Sequence, residues 1–380
     1  MDSYLRYARA KQKDIIALIR EFVECESPSD HPPGIKHFVE LLSERVGDVA
    51  KVKTFEGGHA RVEFHLPGNK KSGQILALGH SDTVWTLGTL RTMPFREQKG
   101  RLWGPGVLDM KAGLVFFIFA MRALREMDAV ISKTVVLQVN ADEEVGSDSS
   151  RALTEDAARS SSAVLVLEPG TGLEGKLKTA RKGVGDYTIT VHGKASHAGV
   201  DFANGANAIV EMGRQLERIA GFTQLERGVT VSPGVIQGGT RSNVVPAECR
   251  AEVDIRVPRE RDRVYLERKF GSLKAFDKRC SIEVTGGLNR PPMERSAGVR
   301  KLYGTAGKLA AELGVTLQES ATGGGSDGNF TAALGVPTLD GLGAVGEGAH
   351  APNESILINR IADRTALLAK LICSLSPASH

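Results

Sequence analysis

The sequence is poor in cysteine, in long apolar runs and in clustered charge, and each shortage excludes something. Four cysteines, Cys25, Cys249, Cys280 and Cys373, are scattered over 380 residues with no CxxC pair. That excludes a disulfide framework and a thiolate zinc site. The longest strongly apolar run, AGLVFFIFAM (112–121), is flanked by Lys111 and Arg122. Ten residues cannot span a bilayer, so a buried core helix is expected there. The opening MDSYLRYARAKQKDIIALIREF has helical periodicity but no signal-peptide apolar region. A cytoplasmic protein is expected, with the periplasm open if an export signal has been removed. A formal charge of +4 without a basic block or an aromatic-and-basic stripe gives no sign of a nucleic-acid partner. No internal repeat or low-complexity tract stands out.

What remains is a soluble globular composition, 41% hydrophobic and 25% charged, in a chain too long for one ordinary core. Two amphipathic helices are expected near 4–24 and 34–47, then strands at 50–55, 60–66 and 74–79. A helix at 110–127, a strand at 134–140, a helix near 148–160 and a strand at 162–168 follow. Apolar strands alternating with helices indicate an α/β layer with a largely parallel sheet. From about 183 the order becomes strand (186–192), helix (203–220), strands (229–237 and 248–256), helix (258–270) and strand (280–286). That is the βαββαβ order of a ferredoxin-like domain, interrupting the first. GGLNRPP (286–292) reads as a linker back. A helix at 295–313, strands at 315–318 and 336–341 and a helix at 357–375 resume the alternation. The expected division is 1–181 with 291–380 for the larger domain and 182–290 for the smaller.

In open α/β sheets, ligands bind beyond the carboxyl ends of the strands. Here those ends carry His80 and Asp82 in HSDTVW, Asp109 in LWGPGVLDMKAG, Asp142, Glu143 and Glu144 in NADEEVGS, Glu168 in LEPG, and His350 in GEGAHAPNE. Each alone has a bland reading: a loop histidine, a helix N-cap, a first-turn charge, a solvated turn. Together they offer imidazole and carboxylate on one rim and no thiolate. That set suits zinc, and also cobalt or manganese. Charge arithmetic favours two ions, whose four positive charges three carboxylates and one shared hydroxide cancel. Neighbouring side chains on extended backbone point apart, so Glu143 and Glu144 cannot be equivalent. One can hold a metal while the other serves as general base. Asp82, two residues from His80, can accept its free ring N–H and fix its tautomer.

The motifs HSDTV, GPGVLDMKAG, DEEVGS, LEPG, GKASHAG, GGTRSNVVPAE and GAHAPNE resemble, in order and spacing, those of the M20 metallopeptidase family. The likeness is strongest to its glutamate carboxypeptidases of the carboxypeptidase G2 type. The resemblance implies a zinc-exopeptidase-like catalytic domain interrupted by a lid and dimerisation domain, and hydrolysis of the amide bond of a C-terminal amino acid by hydroxide held between two zinc ions. An N-acyl-amino-acid deacylase is the alternative within the family. By resemblance, His80 binds one ion, His350 the other, Asp109 bridges them, and Glu144 and Glu168 are terminal ligands. Asp82 orients His80 and Glu143 is the base. His197 matches a lid-domain histidine that polarises the scissile carbonyl, often from a partner subunit, and Asn243 a residue near the same oxygen. Arg290 and Lys176 match positions that hold a substrate carboxylate, while Arg256 is as readily structural. A homodimer through the lid and a cis bond between Asp109 and Met110 are also implied. The loop GGGSDGN (323–329) departs from the carboxypeptidase G2 pattern, which bears on the amino acid preferred rather than on the chemistry.

GGSDG (324–328) also fits the G-x-S-x-G elbow of a serine hydrolase, with Ser326, Asp340 and His350 in order. That reading requires a buried strand entering the elbow, where ESAT (319–322) is polar. It also leaves the carboxylates at 109, 143, 144 and 168 without a role. The loop's expected part is to offer backbone N–H groups to an anionic substrate.

Overall fold

The computed structural model describes residues 2–68 and 71–376, and these fall into two compact units. The larger comprises residues 1–179, 295–321 and 326–380, and the smaller residues 180–294 and 322–325. Arg181 and Met293 exchange backbone hydrogen bonds of 3.0 Å, so the chain enters and leaves the smaller unit on paired segments.

The larger unit is built on a six-stranded sheet. Ala50–Thr54 and Ala60–Phe64 form an antiparallel hairpin at one edge, followed by Thr134–Asn140, Gln74–His80, Ser161–Val166 and Thr338–Leu339. The last four run parallel. Parallel strands are covered on both faces, and Val135, Val136, Leu137 and Val139 are accordingly all buried. The apolar run at 112–121 lies in the helix Ala112–Glu126, where every residue from Ala112 to Met121 is buried. Among the described residues, no helix is long and apolar enough to cross a membrane. All four cysteines are free, as their spacing implied.

The smaller unit follows the split order read from the sequence. Strands Gly183–His192, Thr230–Gly238, Glu248–Val257 and Ser281–Arg290 form one antiparallel sheet, with helices Ala208–Ala220 and Glu260–Gly271 between them in the chain. Thr230–Gly238 and Ser281–Arg290 are its edges. Burial alternates cleanly along Gly183–His192 and Glu248–Val257, the period-two signature of a sheet with one covered face.

The structure corrects three local expectations. The first helix is two, Ser3–Ala10 and Gln12–Glu24, because Lys11 leaves helical geometry. GGLNRPP is no linker as far as Arg290: the strand begun at Ser281 runs through it, with Gly286 and Gly287 at φ 98° and 149°. Such values exclude most side chains, and the pair had read as a break. The strand expected at 315–318 lies instead at Glu319–Thr322. ESAT is a strand, but none of its residues is buried and it stops at Thr322, short of Ser326, so the buried strand a serine elbow requires is not formed there.

Candidate metal centre

Five of the residues singled out at strand ends, His80, Asp109, Glu144, Glu168 and His350, meet in the larger unit, whereas the Asp142 carboxylate accepts hydrogen bonds from Ser149 and Ser150. His80 closes the strand Gln74–His80, and its partner across the ladder, Asn140, closes Thr134–Asn140. The two loops that follow, 81–88 and 141–150, therefore leave the sheet side by side. Asp82 joins them: Oδ1 accepts the Glu143 N–H at 3.2 Å and Oδ2 the Glu144 N–H at 3.1 Å. Ser29 Oγ also donates to Asp82 Oδ2, at 2.7 Å.

A small four-stranded sheet places the other two loops. Arg101–Trp103, just before the Asp109 turn, pairs with Ser355–Leu357, just after His350. Gly346–Glu347 pairs with the other edge of Ser355–Leu357, so His350 sits at the tip of a hairpin. Its φ of 61° lies in the left-handed region, uncommon for a residue other than glycine. The Asp109–Met110 bond is cis, as the resemblance implied.

Two clusters result, and they share one residue. His80, Asp109 and Glu168 each offer a ligand atom within 4.8 Å of the others, and so do Asp109, Glu144 and His350. His80 Nε2 is 3.3 Å from Asp109 Oδ1 and 3.6 Å from Glu168 Oε1. His350 Nε2 is 3.4 Å from Asp109 Oδ2 and 3.2 Å from Glu144 Oε1. The Asp109 carboxylate thus faces one cluster with each oxygen. Two imidazoles and three carboxylates, one of them shared, fit two borderline divalent cations in adjoining sites.

The titration of these groups reflects the crowding of carboxylates. Burial opposes charge on His80, yet hydrogen bonds to Asp109, Asp82 and Glu168 carry its pKa well above the ordinary value. Hydrogen bonds to Asp109 and Glu144 raise His350 to about 10. Burial alone would raise the Asp109 carboxyl, but hydrogen bonds from both histidines and the nearby charges of His80 and Lys178 hold it well below the usual range. Burial raises Glu144, with the negative charge of Asp109 adding to it. Protons and metal ions compete for such a site, because metal ligation requires neutral imidazole.

The second ring nitrogen of His80 refines one expectation. Nδ1 lies 2.9 Å from the Asp82 backbone oxygen and 3.4 Å from its carboxylate Oδ1. Asp82 still supplies the acceptor, but the shorter contact is to its carbonyl, because its carboxylate is taken up by the glutamate backbone.

Lys176 belongs to the larger unit, half-buried, and its N–H donates to the Thr171 carbonyl. His197, Asn243 and Arg290 belong to the smaller unit. There Ser196–His197 pairs with Val244–Val245, and the Ala198 N–H donates to the Asn243 carbonyl at 2.9 Å, bringing His197 and Asn243 together. Both are exposed, and His197 Nδ1 accepts the N–H groups of Gly199 and Val200. Arg290 is buried against Gly325. Arg256 forks onto the Asp254 carboxylate, which fits the structural role. The carbonyls of Gly324 and Gly325 accept hydrogen bonds from buried Arg181.

Ser326 is fully buried and its hydroxyl donates to Asp340 Oδ2 at 2.7 Å. In a nucleophile elbow the serine instead presents its oxygen at the surface toward a histidine. His350 is committed to Asp109 and Glu144. The serine arrangement is not formed.

Sequence reasoning missed Lys178, buried near Asp109, and Glu354. Glu354 closes GAHAPNE, four residues after His350, and is fully buried. Burial raises its carboxyl even though three backbone N–H groups and the Trp85 indole donate to it.

A model of peptidase family M20/M25/M40 matches residues 76–374. Carboxypeptidase G2 of Pseudomonas sp. strain RS-16 is 31% identical over 380 residues, covering 97% of this chain and 91% of the relative. A succinyl-diaminopimelate desuccinylase of Ruegeria pomeroyi is 27% identical, covering 94% and 98%. Among solved structures, aminopeptidase PepT from Bacillus cereus superposes with a TM-score of 0.81 at 21% identity, covering 96% of this chain and 98% of its own. The Bacillus subtilis YXEP protein, described as a dinuclear metal binding M20 peptidase, gives 0.71 at 17% identity, covering 97% and 99%.

Proposed function

Because the chain belongs to peptidase family M20/M25/M40 and is therefore a hydrolytic enzyme, we propose that it is a two-metal carboxypeptidase of the glutamate-carboxypeptidase type, cleaving an amide beside a free carboxylate. The observation that carries this reading is the Asp109 carboxylate, set between His80 and His350 with one oxygen toward each. His80, Asp109 and Glu168 would hold one ion and Asp109, Glu144 and His350 the other, zinc by preference, with cobalt or manganese as substitutes. Such ions supply Lewis acidity, polarising a carbonyl and acidifying water.

The remaining work falls to the chain. Glu143, whose backbone Asp82 fixes, takes the proton of the attacking water and returns it to the leaving amine. His197 donates to the oxygen that gains charge, with Asn243 beside it. Arg290 and Lys176 hold the substrate carboxylate; a guanidinium can do so through two parallel hydrogen bonds. The smaller unit is read as a lid and as the contact of a homodimer. Its edge strand Thr230–Gly238 exposes Val235 and Ile236, an arrangement suited to pairing with a second copy about a two-fold.

Likeness to a desuccinylase favours a second reading, an N-acyl-amino-acid deacylase indifferent to the carboxylate. Kinetics on N-acyl amino acids and dipeptides, as free acids and as C-terminal amides, separate the two. Charge-assisted hydrogen bonds contribute about 1.5–3 kcal/mol, so the amide is expected to lose roughly 10–100-fold in kcat/KM. Arg290→Ala should discriminate less between acid and amide. Equal turnover of acid and amide by the wild type would decide for the deacylase.

A further inference from the structure

We propose that Glu354 is a positioning residue that sets the place of Asp109 and thereby governs the affinity of both metal sites. The inference rests on the two-metal reading above. Glu354 Oε1 accepts the Leu108 N–H at 2.8 Å and the Asp109 N–H at 3.1 Å. Its Oε2 accepts the Gly106 N–H at 2.9 Å and the Trp85 indole N–H at 2.8 Å. Four donors are about what one carboxylate can accept, and the side chain is fully buried.

Three of those donors belong to the turn that carries Asp109 into the following helix. The turn has no regular conformation: Gly106 is left-handed at φ 72°, and Asp109 and Met110 are non-helical. Backbone N–H groups in such a segment have no helical partner, and a carboxylate set in the concavity they form substitutes for one. The Glu354 carboxylate that accepts these N–H groups, rather than helical hydrogen bonding, therefore fixes where the Asp109 backbone stands.

Asp109 is the member common to both clusters, at 3.3 Å from His80 and 3.4 Å from His350. A displacement of its backbone is felt on both oxygens. Glu354 also lies four residues beyond His350 on the same loop, so that loop reaches Asp109 twice, at its carboxylate through His350 and at its backbone through Glu354. Trp85, on the loop that follows His80, ties the third ligand-bearing segment to the same carboxylate.

The test compares metal binding and thermal unfolding of the wild type, Glu354→Gln and Glu354→Asp. Gln keeps the shape but turns an amide NH2 toward N–H donors; Asp keeps the charge but is shorter by one methylene. Metal-free protein is titrated with Co²⁺ and followed by visible absorption. Wild type should take two equivalents, and both variants should bind roughly 10–100-fold more weakly, as partners that orient ligands do. The rise in Tm on adding Zn²⁺ should shrink in step. Variants that unfold earlier but keep the wild-type cobalt affinity and the full zinc-induced rise would overturn the proposal, leaving Glu354 a stabilising residue only. Wild-type protein taking fewer than two equivalents would count against the two-metal reading instead. Should neither variant fold, Trp85→Phe, which removes one donor and leaves the three backbone donors, decides: weaker cobalt binding supports the proposal and unchanged binding overturns it.

Discussion

Asp82 holds Glu143 by its backbone, accepting the Glu143 N–H on Oδ1 at 3.2 Å. Its other oxygen takes the next N–H, that of Glu144. One buried carboxylate thereby fixes the backbone of two adjacent glutamates, to which the proposed mechanism gives different work.

That division can be read directly from two variants. Glu143→Ala is expected to lower kcat by roughly 10²–10⁴-fold with metal content unchanged, the usual scale of a lost general base. Glu144→Ala should lose metal together with activity, since Glu144 lies 3.2 Å from His350 in one of the two clusters. Equal metal content in the two variants, measured by elemental analysis after dialysis, would show the roles to be misassigned.

A chelator should abolish turnover, and Zn²⁺ or Co²⁺ should restore it. Ligand bound only to the folded state stabilises it by about 2.7 kcal/mol at a hundred times Kd. Calorimetric unfolding with and without chelator should therefore differ in Tm, and a common Tm would mean that no metal is held.

Ser326→Ala tests the serine arrangement from the other side. Loss of the hydroxyl removes a donor from buried Asp340 and an acceptor from the Gly328 N–H. The expected cost is about 1–3 kcal/mol of stability in urea unfolding, with turnover per folded molecule near that of the wild type. Abolished turnover in a folded, metal-replete variant would revive the serine.

Acid should undo a tie between the chain ends. Asp2 caps the first helix at Tyr4 and Leu5 and pairs with Lys370 at 2.6 Å. Burial works against its charge, but the Lys370 hydrogen bond and the two backbone N–H groups outweigh it and lower the pKa. A carboxyl lowered by folding adds stability above its unfolded pKa and loses it as pH falls through the folded one. Asp2→Ala should cost about 0.5–2 kcal/mol near neutrality. The gap from wild type should close in denaturation series carried into strong acid; a gap independent of pH would rule out the carboxyl's titration.

The family resemblance raises service by His197 to the active site of a second copy, which a mixing experiment tests. Mixing inactive His197→Ala with inactive Glu143→Ala under subunit exchange should then recover part of the activity. Exchanged heterodimers without activity would confine the histidine to its own chain or remove it from the reaction.

The sequence made legible whatever depends on side-chain pattern. The strand expected at 134–140 is found at Thr134–Asn140 because an apolar run with abrupt polar ends leaves little freedom. The ligand candidates were legible because His, Asp and Glu at five strand or loop ends are hard to explain singly. Short pieces were not. Arg101–Trp103, Gly346–Glu347 and Ser355–Leu357 are two or three residues long, too short for a period to register, yet their pairing brings the His350 hairpin beside the Asp109 turn. Glu319–Thr322 is polar and was passed over for the apolar residues before it. Glu354 escaped because its partners are mostly backbone N–H groups, which residue identity does not reveal.

The paired segments at Arg181 and Met293 have a consequence for how such a chain can be rearranged. A hydrogen-bonded antiparallel pair keeps its Cα atoms about 5.5 Å apart, a gap that a two-residue turn closes. Everything between those positions is, to the rest of the gene, an overgrown hairpin loop. None of the strands of the six-stranded sheet lies between them, so a change of length or content there leaves the order of those strands in the chain unaltered. Recombination and design thus have a ready splice point, marked by two residues that exchange backbone hydrogen bonds.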